Sequence, residues 1–117
     1  MLDASAKRIP LSVISDIAVD IWRITRRALR EESTPPSVVI ACERAVETLE
    51  GAKVEIRDLA GEKYDENSRV SVIHEEGGKR NQVISECISP AIYYKGRLLR
   101  KAEVCLKGEA DGQQTDS

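Results

Sequence analysis

Apolar spacing changes character at Gly51, and that change constrains the fold more than any other feature of the sequence. Before it, Ile14, Ile17, Ile21, Ile24 and Ala28 recur in steps of three and four, the seam of a helix spanning Leu11 to about Arg30. Val13, Ala18, Trp22 and Leu29 form a second apolar strip beside that seam. A face this wide needs more than one neighbour, so it predicts a bundle. The segment "EESTPPS" then breaks the helix at Pro35 and Pro36. A second helix follows, with Ser33 or Thr34 as its N-cap, a proline in its first turn and Gly51 at its end. Val38 or Val39, Cys42, Ala45 or Val46, and Leu49 give it the same spacing.

After Gly51 the period falls to two. "KVEIRDL" alternates, "VSVIHEE" and "QVISECI" read as short strands, and "AGEKYDENSR" and "GGKRN" read as turns between them. The run "IYYKGRLLRKAEVCLK" closes the series, with Lys95-Gly96 as a two-residue hairpin turn. The expected fold class is α+β: an N-terminal two-helix hairpin forming a dimeric helical bundle, then a small antiparallel β-domain of four to six strands. The expected divisions are a lead-in over 1–10, helices over 11–50, a β-domain over 51–107 and a disordered polar tail over 108–117.

Composition removes several functions. With 117 residues, one Trp, three Tyr and no Phe, the core rests on aliphatic side chains, and association is a natural source of extra burial. Eighteen basic against twenty acidic residues give a net charge of −2, which argues against a protein devoted to nucleic acid. Cys42, Cys87 and Cys105 are widely separated, and with the single His74 they make no metal-ligand spacing. Reduced, mostly buried thiols in a cytoplasmic protein are expected. No leader peptide or membrane span is expected, since nothing approaches the ~20 apolar residues that a span needs. No nucleophile elbow or phosphate loop is present, and neighbouring strand residues such as His74 and Glu75 point to opposite faces. Neither an enzyme nor a cofactor is expected.

Two basic features remain. Arg23, Arg26, Arg27 and Arg30 lie along one side of the first helix, and no acidic residue interrupts Ile21 to Arg30. They read either as a docking stripe for an acidic partner surface or a phosphate backbone, or as a solvated face favoured by the C-terminal helix dipole. The hairpin "YYKGRLLRKAEV" carries the other cluster: Lys95, Arg97, Arg100 and Lys101.

The segments "VEIRDLAGEKYDENSRVSVI" and "ISPAIYYKGRLLRKAEVCL", following a helical bundle, resemble the β-domain of GrpE, the nucleotide exchange factor of DnaK-type chaperones. Val54, Ile56, Gly61, Tyr64, Asp65 and Asn67 match the first part of that pattern. Gly96, Arg97, Leu98, Leu99, Arg100, Ala102 and Val104 match the last. Arg69 stands where that family carries His, and Ala91-Ile92 replace its Gly-Tyr. Only ten residues precede Leu11, so the long helical stalk of that family is not expected.

The resemblance implies a homodimer with a β-domain pressed into the nucleotide-binding lobes of a chaperone, where it promotes ADP release. By position it nominates Arg97 as the partner-binding residue, with Ile88 and Leu106 ranked after it, and the Arg97–Arg100 region would then engage an acidic lobe surface. Ile14, Ile17, Ile21, Ile24 and Ala28 would form the dimer interface. The rival expectation keeps the fold and makes the chain an adaptor in another assembly, docked through the helical seam and the arginine stripe against an acidic protein surface.

Overall fold

Helix α1, Leu11–Arg30, starts at Pro10, whose carbonyl accepts the amide N–H groups of Val13 and Ile14. The computed structural model describes residues 9–110. Most of the expected lead-in and most of the expected tail lie outside them. α1 keeps its expected bounds, and Arg27 and Arg30 sit in its last turn, where the backbone dipole favours cations. Helix α2, Pro36–Gly51, begins at Pro35 instead of a Ser or Thr cap. Pro36 occupies the first turn, where a missing N–H costs nothing. The end of α2 also differs from expectation. Gly51 is its last helical residue, and the left-handed conformation after it falls on Lys53, with φ 69°. Lys53 donates its N–H to the Glu50 carbonyl, which closes the terminus.

Six strands follow: β1 Val54–Arg57, β2 Val70–Gly77, β3 Arg80–Ser89, β4 Ala91–Tyr94, β5 Arg97–Arg100 and β6 Ala102–Glu109. They form two three-stranded sheets, ordered β1-β4-β5 and β2-β6-β3. The first is antiparallel throughout. The second is mixed, because β6 runs parallel to β2 and antiparallel to β3. A wholly antiparallel domain is therefore corrected in one pairing. The tail boundary is corrected too, since Gly108 and Glu109 extend β6 past the expected end at residue 107.

The mixed pairing has a visible cause. β2 and β3 are joined through Gly77, Gly78 and Lys79, yet β6 lies between them, so the link must cross over the end of β6. It crosses against Gly108. A side chain on Gly77 or Gly78 would collide with the backbone of residues 108–110, and one on Gly108 with the Gly78 carbonyl. The "GGKRN" turn is thus a strand crossing built from bare backbone.

Two apolar clusters hold the chain together. Ile84, Cys87, Ala91, Ala102, Val104 and Leu106 fill the first, against which Trp22 of α1 packs. Ala18 and Val19 of α1 meet Val54 and Ile92 in the second, with Ile14, Leu49 and Leu99 around them. The hairpin segment "YYKGRLLRKAEV" serves both sheets: β5 belongs to one, β6 to the other, and Lys101 is the single residue between them.

This packing divides the expected dimer seam. Ile14 belongs to the second cluster, and Ala28 is buried within the chain. Ile17 and Ile24 remain 50% and 58% exposed, and Ile21 is half-buried. The heptad spacing was real, but the sheets take the Ile14–Ala18–Val19 side of the helix. Only the middle of the seam is left outward.

Candidate partner-binding site

The β4–β5 hairpin is built around Lys95 and Gly96, with φ of 50° and 81°. Two central residues with positive φ define the turn whose twist suits a two-residue hairpin. Gly96 adopts this without cost; Lys95 does so because its N–H donates to the Lys53 carbonyl at 2.9 Å, tying the tip to the end of α2. The Lys95 ammonium lies 5.2 Å from the centre of the Tyr94 ring. Arg97, opposite Tyr94 in the ladder, is exposed and makes no ion pair among the described residues. It stands at the start of a strand held at both ends.

The other nominated β-domain residues behave differently. Arg100 is turned back onto the chain, where its guanidinium donates to the Asp16 carboxylate of α1. Leu106 is corrected as a contact residue. It is 1% exposed, because Ala102, Val104 and Leu106 occupy the alternate positions of β6 that face the first cluster. Ile88 is half-buried on β3, in the other sheet from Arg97. Arg57 belongs to the surface of the first sheet, 4.3 Å from the centre of the Tyr93 ring and bonded to Glu55 at 2.7 Å. That hydrogen bond holds the Glu55 carboxyl below its usual range.

The structure brings Ile88 to the arginine stripe. Trp22, Arg23, Arg26, Arg27, Arg30 and Glu31 of the α1 end face Glu86 and Ile88 of β3 across an open cleft of about 500 Å³. Arg26 is its fixed wall. It donates to the Cys87 carbonyl at 2.8 Å, lies 3.6 Å from Glu86, and stacks 4.8 Å from the centre of the Trp22 ring. Its side chain is 23% exposed, so its charge is spent on joining α1 to β3. Arg27 pairs with Glu31 at 3.0 Å, a helical i,i+4 contact at the surface. Arg23 reaches Asp20 only at 3.9 Å, and Arg30 is exposed without an ion pair among the described residues.

Trp22 and Glu86 are functional candidates that the sequence reading passed over. Trp22 had been grouped with an apolar strip. Its spacing of four from Arg26 already placed the two on one side of the helix.

A second apolar groove runs between the helices, lined by Ile21, Ile24 and Thr25 of α1 and by Val38, Ala41, Cys42 and Ala45 of α2. Val38 is 40% exposed within it. Among the described residues no group of three or more His, Cys, Asp and Glu side chains is placed to hold a metal ion. No described helix is long and apolar enough to cross a membrane. Comparison with family models and with curated proteins finds no match to this chain.

Proposed function

We propose that this chain is a GrpE-like nucleotide exchange co-chaperone, a homodimer that binds the ATPase lobes of a DnaK-type chaperone and promotes ADP release. The observation that carries the reading is Arg97, exposed and unpaired among the described residues, on a hairpin whose tip is tied to the helix pair through Lys53 and Lys95. With the backbone beneath it already held, only the side chain of this cation has to be ordered when it docks on an acidic surface. The inter-helix groove supplies the dimer interface through Ile21 and Ile24, with the exposed Ile17 on the same seam of α1. Exchange by this route needs no catalytic group. It needs tighter binding to the open lobe than to the closed one, and a tenfold shift in that equilibrium takes ~1.4 kcal/mol.

The test is the rate of labelled ADP release from a DnaK-type chaperone with and without this chain. Acceleration by the wild type, and loss of about tenfold of it on Arg97→Ala, is the expected result. No acceleration at any concentration overturns the exchange activity.

A second reading, an adaptor without exchange activity, draws on the fate of the other nominated residues. Arg100 is engaged by Asp16, Leu106 is buried, and Ile88 lies in the other sheet, so Arg97 acts without them. Affinity capture from the native host separates the two: a DnaK-type ATPase as main partner favours exchange, an unrelated assembly the adaptor.

A further inference from the structure

We infer that the cleft between the C-terminal half of α1 and β3 receives an acidic peptide segment of a partner protein, anchored by one large aliphatic side chain. Trp22 and Ile88, both half-buried, are the apolar residues of the cleft lining, and the other six are charged. Its volume of about 500 Å³ falls within the ~300–1,000 Å³ of clefts that hold small ligands. Four arginines and two glutamates line it, giving a formal charge of +2 in a chain whose net charge is −2.

The charges are not equivalent. Arg26 is consumed by Glu86 and the Cys87 carbonyl, and Arg27 by Glu31. Arg23 and Arg30 are left to accept a carboxylate each, and a guanidinium fork does so through two parallel hydrogen bonds. The fixed parts and the available parts are thus separate. Arg26 holds the Trp22 ring by stacking on it, which gives the ring a set orientation before anything binds.

A nucleic acid strand fits this cleft less well. Trp22 is the one aromatic side chain in the cleft lining, a single stacking platform where single-stranded nucleic acid uses several. A peptide alternating carboxylates with one aliphatic side chain meets both the charged and the apolar parts of that lining. The inference is independent of nucleotide exchange, since peptide binding is measured with no chaperone present.

Trp22 is the only tryptophan in the chain, so its emission reports occupancy of the cleft directly. The probes are short synthetic peptides without aromatic residues: an Asp/Glu-rich peptide with one central Leu, the same peptide with Ala for Leu, a Lys-rich peptide with the Leu kept, and a short oligo(dT). The Asp/Glu-Leu peptide is expected to change Trp22 emission saturably, and to bind about tenfold more weakly as salt rises from low to physiological strength. The Ala peptide is expected to bind at least about tenfold more weakly, and the Lys-rich peptide not to bind.

Arg30→Glu and Arg23→Glu, both at exposed positions, should each weaken the Asp/Glu-Leu peptide by about tenfold. Lys107→Glu, the same change of charge on β6 opposite Val83, should leave it unaltered. No saturable change of emission overturns the inference. So does equal binding of the Leu and Ala peptides, an equal loss in Lys107→Glu, or tighter binding of oligo(dT) than of the acidic peptide.

Discussion

The β-domain and the helix pair carry aliphatic side chains in similar abundance, but they dispose of them in opposite ways. Ile84, Ile92, Val104 and Leu106 are each 2% exposed or less. Ile17, Ile24, Val38 and Ile40 are between 40% and 58% exposed. The sheets close their core within one chain, whereas the helices leave an apolar groove between them and an apolar margin beside it. Burial of this kind contributes roughly 25 cal/mol per Å², so the helix pair has stabilisation still to gain from a second surface. The β-domain has less, with Ile73 and Val83 as its exposed large aliphatic side chains among the described residues. One end of the molecule is all but finished, and the other carries most of the exposed large aliphatic side chains.

The comparison breaks most severely if the finished end is opened. Leu106→Ala removes a side chain packed on every side and should destabilise the fold by about 2–5 kcal/mol. Its thermal midpoint should fall by a similar amount at every protein concentration. Ile24→Asp sharpens the other half. It should leave the secondary structure intact while shifting light-scattering mass from dimer to monomer. The wild-type midpoint should rise with protein concentration, and this variant should lose that dependence. A wild-type midpoint indifferent to concentration would mean that the helix pair is stable uncovered.

The smallest effect lies in the β2–β3 crossing, at the edge of the β-domain. Gln82 and Lys79 hydrogen-bond to the Glu75 carboxylate and hold it below its usual range, with Gln82 the larger influence. A depressed carboxylate contributes stability above its unfolded value and loses it as pH falls through the folded one. Acid titration should therefore weaken this crossing below about pH 4, and Glu75→Gln should abolish that part of the pH dependence. Amide hydrogen exchange in Gly77–Arg80 is the measurement.

Much of this division was legible in the sequence. Period three-to-four, then period two, located both helices and the β-domain, because those spacings follow from backbone geometry alone. Period does not say which side of a helix meets a sheet, and so Ile14 and Ala28 were grouped with Ile17 and Ile24. The four arginines looked equivalent for the same reason. What distinguishes Arg26 is the Cys87 carbonyl, 61 residues away in the chain. Leu106 was within reach: alternation with Ala102 and Val104 marks the buried side of β6. The parallel pairing of β2 with β6 was not. It joins segments some thirty residues apart, and only the clustered glycines at 77, 78 and 108 leave a trace of it.

The central position of β6 has a consequence for the order in which the molecule is made. β2 and β3 do not pair with each other; each takes its ladder partner from β6, which leaves the ribosome after both. The two helices and the β1-β4-β5 sheet take no ladder partner from β6. The β2-β6-β3 sheet must wait, with two strands exposed, until Ala102–Glu109 slides between them. Such distant pairings are slow to form. On this topology the second sheet closes only when the last strand enters it, whatever the rest of the chain has already formed.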